Sequence, residues 1–293
     1  MSGFVTSAVS IFFDGLAYAM LLFVISVGLS ITMGLMGFVN LAHGAFAMAG
    51  GYVTVACMNV LGVPFIPALV LTFFFVAIVS IPLERVLYAP LYKARELDQV
   101  LMSIGITFMA IAGVTLIFGP NPPAIVLPEF LKGQIDLGFK TFPTYRFFMI
   151  VVGFVMAFVL WLGFERTIIG AKIRAAVDNR QMAQAVGIDV DKLFILTFAL
   201  GSGIAGVGGG LAIDIVGISP VFAFNYLVLF LIVVAVGGLG SLRGAFLAAI
   251  VLGVIDTAGK YLWPEGGAFF IYVVTVGVLL VRPNGFFGKG ESH

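Results

Sequence analysis

The chain has 293 residues, of which 61% are hydrophobic and 10% are charged, and its mean hydropathy is +1.19. A soluble domain is closer to half apolar and a quarter charged, so this composition excludes a soluble globular protein and predicts a polytopic membrane protein. A net charge of +1 gives no electrostatic case for nucleic acid as a partner, and the single cysteine, Cys57, excludes an internal disulfide.

Long stretches without charge mark the predicted membrane spans. Residues 15–83 contain no Asp, Glu, Lys or Arg, and since one span needs about 20 residues, this stretch has room for about three. The predicted spans along the whole chain lie near residues 10–36, 41–60, 64–83, 98–118, 147–164, 193–214, 222–240, 244–263 and 267–281. The chain is therefore predicted to be all-α, with a single transmembrane domain over residues 1–293 and nine spans, or eight if the second is broken or re-entrant.

Two polar side chains interrupt the first charge-free stretch, in the segment Asn40–Phe46. Asn40 and His43 are three residues apart, which places them on one face of a helix. Loss of solvation disfavours a charged imidazole, so His43 is expected to be neutral and hydrogen-bonded. The pair either lines a path through the membrane or anchors a break in the helix, and anchoring is the favoured interpretation.

Many of the 37 glycines fall within predicted spans. Gly206 and Gly210 form a GxxxG pattern, which lets helices pack closely where lipid provides no hydrophobic drive. Packing alone explains most of these glycines, but glycine-broken helices also line transport sites. The residues considered for a translocation path are Asn40, His43, Gly44, Phe46, Gly206 and Gly210.

Charged residues are rare within the predicted spans. Asp256 and Lys260 are four residues apart on one helix and are predicted to neutralise each other. Asp14 and Asp214 lie near the predicted outer ends of their spans, where they either meet the ammonium group of a zwitterionic substrate or reach interfacial water, the commoner case. No chain of ionisable residues crosses the membrane, which argues against a proton-coupled carrier.

The most polar segment of the chain is Glu165–Lys192, which holds nine of the 29 charged residues. A segment this polar cannot lie in hydrocarbon, so it must form a loop in water between two spans. Its apolar residues recur at helical spacing, which predicts one amphipathic helix over Ile173–Val186, ended by Gly187. The segment is either the place where a cytoplasmic partner acts on the membrane part or an ordinary charged loop. The candidate contact residues are Arg174, Ala175, Asp178, Arg180, Ala183 and Gly187.

The distribution of Lys and Arg predicts the orientation. With residues 165–192 inside, 11 of the 15 basic residues lie inside, and the N-terminus is outside while the C-terminus is inside. The longest outer loop is then 119–143. Its prolines and mixed charges predict a shaped surface, which either receives an extracytoplasmic protein or is a plain solvated loop.

The sequence lacks the motifs of several kinds of enzyme. It contains no G-x-x-x-x-G-K-[ST], so no ATP binding through a P-loop is expected. It has two histidines, no metal-ligand cluster and no visible nucleophile–base pair, so no catalytic residue and no metal site is predicted. A self-sufficient secondary transporter or channel and a structural membrane scaffold remain as rival classes; the charged loop and the missing ionisable relay count against the first.

Four motifs in order resemble the permeases of branched-chain amino acid ABC importers, the LivH type: Gly28–Tyr52, Glu165–Val190, Gly237–Ala249 and Arg282–Gly288. The resemblance covers nearly the whole chain. It implies that Asn40–Gly44 lies in the membrane core and that Arg174–Gly187 is the coupling loop that docks on the ATPase. One departure is Arg243, at a position where relatives often carry an aromatic residue.

The resemblance also implies the setting in which the chain works. It implies an ABC importer permease fold in the bacterial inner membrane, a similar second permease subunit, two cytoplasmic ATPase subunits that bind ATP and Mg, and a periplasmic substrate-binding protein. Branched-chain or other hydrophobic amino acids are the implied cargo, taken up by alternating access. The same motifs occur in permeases for urea, short amides and aromatic compounds, which are the alternative cargoes.

Overall fold

The computed structural model describes residues 2–37, 39–92, 94–123, 127–136, 138 and 140–288. The α-helices of this part of the chain are α1 (Ser2–Met36), α2 (His43–Asn59), α3 (Phe65–Leu83), α4 (Glu96–Phe118), α5 (Glu129–Lys132), α6 (Thr144–Arg166), α7 (Ile168–Asp178), α8 (Arg180–Ala185), α9 (Val190–Ile215), α10 (Phe222–Gly237), α11 (Leu242–Leu262) and α12 (Phe269–Val281). A π-helical turn, Glu84–Tyr88, and a 3₁₀ turn, Ala89–Leu91, extend α3, while β1 (Gln134–Asp136) and β2 (Thr141–Pro143) form an antiparallel hairpin.

The described helices match the predicted spans closely. Six segments are long and apolar enough to cross a membrane, and they correspond to α1, α3 with its two extending turns, α4, α6, α9 and α11. Two shorter apolar helices, α10 and α12, bring the number to eight. The predicted second span is α2, which has 17 residues and is buried along most of its length. α2 is one continuous helix, and the choice between nine spans and eight stays a prediction.

The core of the bundle is built around α1 and α9. Most of α1 and α9 is buried inside the protein, whereas α4 and α6 expose most of their apolar surface to the surroundings. Small residues allow this close packing, because the backbones of Gly28 in α1 and Gly201 in α9 lie against each other with no room for a side chain. In the same way Gly50 of α2 packs directly on Gly206 of α9. The glycines of the predicted spans are thus the contact points of the central helices.

The structure adds detail to the sequence prediction at two places, the start of the first span and the loop 119–143. The first span was predicted to begin near residue 10, but α1 begins at Ser2, because no charged residue precedes Asp14 and the helix continues. The loop 119–143 is not purely irregular, since it contains α5 and the β1–β2 hairpin. Among the residues that the structure describes, this hairpin is the exception to an all-α fold, and its presence agrees with a shaped loop. The end of the molecule that carries it is called here the hairpin end, and the opposite end, with α7 and α8, the α7 end.

Asp14 has a different role from either of those considered for it. Its side chain is 8% exposed, forms an ion pair with Arg146 of α6 and accepts a hydrogen bond from the hydroxyl of Tyr261 at 2.7 Å. Asp14 therefore links α1 to α6 and α11 at the hairpin end, and its carboxylate is paired with Arg146 of the same chain. The predicted pair of Asp256 and Lys260 is confirmed, with 2.5 Å between Oδ2 and Nζ.

Candidate functional site: the α7–α8 segment and the α1–α2 junction

The charged segment folds into two short helices where the sequence predicted one. The helix predicted over Ile173–Val186 is interrupted at Asn179, whose backbone is extended with φ −155° and ψ 101°. Asn179 Oδ1 accepts a hydrogen bond from the backbone N–H of Met182 at 2.9 Å and so caps the start of α8. Asparagine is among the most favoured N-cap residues, which explains why the helix restarts here and does not run through.

Each end of the segment is capped. Thr167 caps α7 by accepting from the N–H of Gly170 at 3.0 Å, and Asp189 caps α9 by accepting from the N–H of Lys192 at 3.1 Å. Gly187 has φ +85°, and the N–H of Ile188 reaches the carbonyl of Ala183 at 3.0 Å, which is a Schellman ending. The prediction that Gly187 ends the helix is confirmed, and its positive φ is the conformation that such an ending uses. The segment is thus a preformed surface and not a loose connection.

One face of the segment packs on its own chain. Ile173, Ala176 and Ala183 join a small apolar cluster with Leu35 of α1 and Phe194 of α9. Ala183 was predicted to contact another subunit, but its side chain is only 3% exposed because it fills this cluster. That part of the prediction is corrected. The other predicted contact residues, which all lie on the exposed face, are Arg174, Ala175, Asp178, Arg180 and Gly187.

The exposed charges are held by specific partners. Arg174 donates to the backbone carbonyl of Phe164 at the end of α6. Arg180 pairs with Asp191 of α9 at 3.2 Å, and its guanidinium lies 4.6 Å from the ring centre of Phe194. Exposed ion pairs of this kind contribute about 0–1 kcal/mol to stability, so their main effect is to orient the arginines.

Arg243, which stands where similar permeases often carry an aromatic residue, also has a structural role. Its guanidinium pairs with Glu165 at 3.2 Å, which links the start of α11 to the end of α6. Ser241 caps α11 beside it by accepting from the N–H of Gly244 at 3.0 Å. The position therefore holds an inter-helix ion pair at the α7 end.

A cavity of about 920 Å³ lies beside α7. Apolar side chains of α1, α6 and α10 form its body, and the turn before α11 and the turn after α12 close it on the other side. Charged residues at its rim are Glu165, Arg174, Asp178 and Arg243. The cavity is open to the surroundings, so one side of α7 borders it while the opposite side packs on α1 and α9.

The polar pair of the sequence analysis lies at the junction between α1 and α2. Asn40 precedes the helix, so the expectation that Asn40 and His43 share a helical face is wrong; Asn40 instead forms the turn that leads into α2. Its Oδ1 accepts from the N–H of Ala42 and from the hydroxyl of Tyr88, both at 3.0 Å. His43 Nε2 lies 2.8 Å from the carbonyl of Ile25 in α1, so this nitrogen carries the proton and donates. These hydrogen bonds agree with the favoured interpretation that the pair anchors a break between helices.

The remaining path candidates pack around the same junction. Gly44 lies against the backbone of α10 at Ala223, and Phe46 meets the ring of Phe198 edge-on with 5.5 Å between centres. Gly206 faces α2 and α3, and Gly210 lies against Thr54. The structure therefore brings all six candidates to the α1–α2 junction and the α2–α9 interface. In the conformation described, these residues are packed against neighbouring helices. Their role in a translocation path stays a prediction.

The sequence analysis missed a group of residues that lies between these two regions. Glu84, in the π-helical turn after α3, is 2% exposed, and Tyr92 donates to its Oε1 at 2.5 Å. Tyr88, on the same turn, is the residue that donates to Asn40. Two signals in the sequence point to them: Pro82 stands inside the end of α3, and Glu84 is the first charge after the long apolar stretch.

A bundle of apolar helices, with polar groups at its helix junctions and in one preformed helical segment outside it, defines a multi-pass membrane protein. The family model of the branched-chain amino acid transport system permease component matches residues 11–279. The chain belongs to this family and is a permease subunit of an ATP-driven importer.

Curated relatives match nearly the whole chain. The high-affinity branched-chain amino acid transport system permease proteins LivH of Escherichia coli K12 and BraD of Pseudomonas aeruginosa are each 28% identical, over 95% of this chain and 95% of their own. A probable LivH of Methanocaldococcus jannaschii is 26% identical over 92% of this chain and 90% of its own. No solved structure matches the chain.

Proposed function

We propose that this subunit imports a branched-chain or other hydrophobic amino acid across the bacterial inner membrane by alternating access. The observation that carries the proposal is the match to LivH and BraD, both described as high-affinity branched-chain amino acid permeases, over 95% of the chain. A bundle built largely from aliphatic side chains, Phe and Gly is compatible with an apolar cargo side chain. Urea, short amides and aromatic compounds are the alternative cargoes.

The energy for transport is supplied by other subunits. In this proposal ATP and Mg bind to two cytoplasmic ATPase subunits, and this chain, which has no G-x-x-x-x-G-K-[ST], does not bind ATP through a P-loop. A second, homologous permease completes the path, and a periplasmic binding protein delivers the cargo. The 11-to-four distribution of basic residues supports an orientation with the α7 end in the cytoplasm and the N-terminus in the periplasm.

The α7–α8 segment is the element on which the ATPase acts. Its caps fix its shape, its exposed face carries Arg174, Asp178 and Arg180, and its buried face rests on α1 and α9. The cavity beside α7 leaves room for the segment to move when an ATPase pushes on it. A plain charged loop would need neither the caps nor the inward-facing apolar cluster.

The cargo is tested by reconstituting this chain with its neighbouring subunits and the binding protein in vesicles. ATP hydrolysis and uptake are measured with leucine, isoleucine, valine, phenylalanine and urea in turn. We expect Leu, Ile or Val to stimulate both activities most strongly. Stimulation by urea alone, with none by an amino acid, would contradict the proposed cargo. Uptake without any ATPase subunit would show that the chain is a secondary transporter.

A further inference from the structure

We propose that Glu84 and Tyr92 are positioning residues that carry the movement of α7–α8 to the α1–α2 junction. The inference rests on the proposed coupling role of α7–α8 and adds the route inside this chain. Its basis is one series of side-chain contacts from the exposed Arg180 to Glu84 and a second from Tyr88 to the buried Asn40, which the backbone of the π-helical turn Glu84–Tyr88 joins. None of these residues is required to touch the cargo.

The first part of the route leads from the coupling segment to the end of α3. The guanidinium of Arg180 lies over the ring of Phe194 at 4.6 Å, and that ring lies 4.9 Å from the ring of Tyr92. Phe194 is almost fully buried and belongs to the same apolar cluster as Ile173 and Ala183. A displacement of α7 or α8 therefore presses directly on Phe194 and through it on Tyr92.

The second part leads from Tyr92 into the core. Its hydroxyl donates to Glu84 Oε1 at 2.5 Å, and the other carboxyl oxygen, Oε2, has no hydrogen-bond partner among the described residues. A buried carboxyl that depends on so few partners loses much of its stabilisation if that bond is stretched. The position of Tyr92 consequently controls the position of Glu84.

The π-helical turn joins Glu84 to the junction. Tyr88, which lies one turn after Glu84, donates to Asn40 Oδ1 at 3.0 Å and packs its ring 4.8 Å from that of Phe198 in α9. Asn40 in turn shapes the start of α2, where His43 binds the backbone of α1. The contacts thus end on the two helices that meet at the centre of the bundle.

The turn itself is suited to adopt two arrangements. Pro82 has no backbone N–H, so the helix cannot continue through it with a full set of hydrogen bonds. The wide π turn follows directly, and such turns are rare, less favourable than α-helix and frequent at functional sites. Coupling between distant sites requires an element with two discrete arrangements that both sites influence, and we assign this part to Glu84–Tyr88, which lies between the α7–α8 segment and the α1–α2 junction.

The test uses the complete importer in vesicles and measures both cargo uptake and ATP hydrolysis. Tyr92→Phe removes only the hydroxyl that binds Glu84, and Glu84→Gln keeps the size of the carboxyl while removing its charge. Tyr145→Phe is the matched control, because it removes a buried hydroxyl that donates to the carbonyl of Leu211 at 2.8 Å, away from the route. We expect both test variants to keep the ATPase subunits and hydrolyse ATP, while the cargo imported per ATP falls about threefold or more. The control keeps the wild-type ratio.

A double-mutant cycle separates this role from a general loss of stability. Phe194→Leu and Tyr92→Phe, singly and together, are expected to affect the ratio of uptake to hydrolysis less than additively, because they interrupt the same route. An unchanged ratio in both Tyr92→Phe and Glu84→Gln overturns the inference, as does a loss of uptake and hydrolysis in equal proportion. If the wild-type chain does not retain the ATPase subunits, the proposed coupling role of α7–α8 is wrong. If the wild type and both variants couple equally well, the coupling role stands and only the route through Glu84 and Tyr92 is wrong.

Discussion

At the scale of single residues, the buried polar groups hold helices to one another. Asn40 and His43 join α1, α2 and the turn after α3, while Asp14 joins α1 to α6 and α11. A polar group removed from water is costly unless it has a partner, so each of these contacts is strongly position-dependent. The consequence is that conservative replacements at these positions should have measurable effects on stability.

His43→Leu should lower the free energy of unfolding by about 0.5–1.5 kcal/mol, because the hydrogen bond to the Ile25 carbonyl is lost while the volume is nearly kept. His43→Gln, which retains a donor, is the control and should lose less. The measurement is thermal denaturation of the purified chain in detergent. Equal stability of His43→Leu and the wild type would show that the imidazole only fills space.

Asp14 and Arg146 should show a favourable interaction in a double-mutant cycle. Asp14→Ala leaves the Arg146 guanidinium without its carboxylate, and Arg146→Ala leaves a largely buried carboxylate without its cation. We expect the double variant to lose less stability than the sum of the two single losses, with a coupling energy of about 0.5–3 kcal/mol. Full additivity of the two single effects would contradict a functioning ion pair.

At the scale of elements, the α7–α8 segment is defined by its ends. Thr167, Asn179 and Asp189 each satisfy backbone donors at the start of a helix, and Gly187 allows the chain to reverse into α9. These residues set the direction of two short helices that would be unstable alone, because isolated helices of this length are marginal in water. The direction of the exposed face therefore depends on single capping residues.

Gly187→Val should abolish coupled transport while the protein still inserts in the membrane. A β-branched residue at φ +85° is strongly disfavoured, so the turn between α8 and α9 must change and the exposed face is displaced. Gly105→Ala is the matched control, because Gly105 lies in α4 with open space beside it and no positive φ. The measurement is co-purification of the ATPase subunits and ATP hydrolysis stimulated by cargo. Normal binding and stimulation in Gly187→Val would remove α7–α8 as the docking element.

At the scale of the whole molecule, the polar regions lie at opposite ends. The hairpin end carries Lys132 and Arg146, and the α7 end carries the segment 165–192 with most of its charge exposed. The helices between them are apolar for the length of a membrane. The excess of basic residues at the α7 end predicts that this end lies in the cytoplasm.

The orientation is tested by labelling single cysteines in intact cells. Cys57 is the natural cysteine and is buried, so Cys57→Ser gives a background without thiols. On that background, Lys132→Cys should react with an impermeant reagent added from the periplasm and Asn179→Cys should react only after the membrane is opened, since both positions are exposed. The reverse pattern would invert the assigned topology.

Much of this fold was predictable from the sequence. Apolar stretches of span length have one stable form in lipid, a helix that satisfies its own backbone hydrogen bonds, so span positions and the exposed segment 165–192 followed from hydropathy and charge alone. The positive φ at Gly187 and the pair of Asp256 with Lys260 were also predictable, because both depend on neighbours within one or two turns. The motifs that carry the family resemblance are local in the same sense.

Contacts between residues distant in sequence were decided only by the tertiary structure. Asp14 meets Arg146 and Tyr261, and Glu84 meets Tyr92 at the far side of a π turn, because of how whole helices pack and turn. The sequence predicted Ala183 to be an exposed contact residue, but the packing of α7 and α8 on α9 buries its side chain. Local spacing determines which side of a helix a residue occupies, but the neighbour on that side depends on the rotation and depth of every other helix in the bundle.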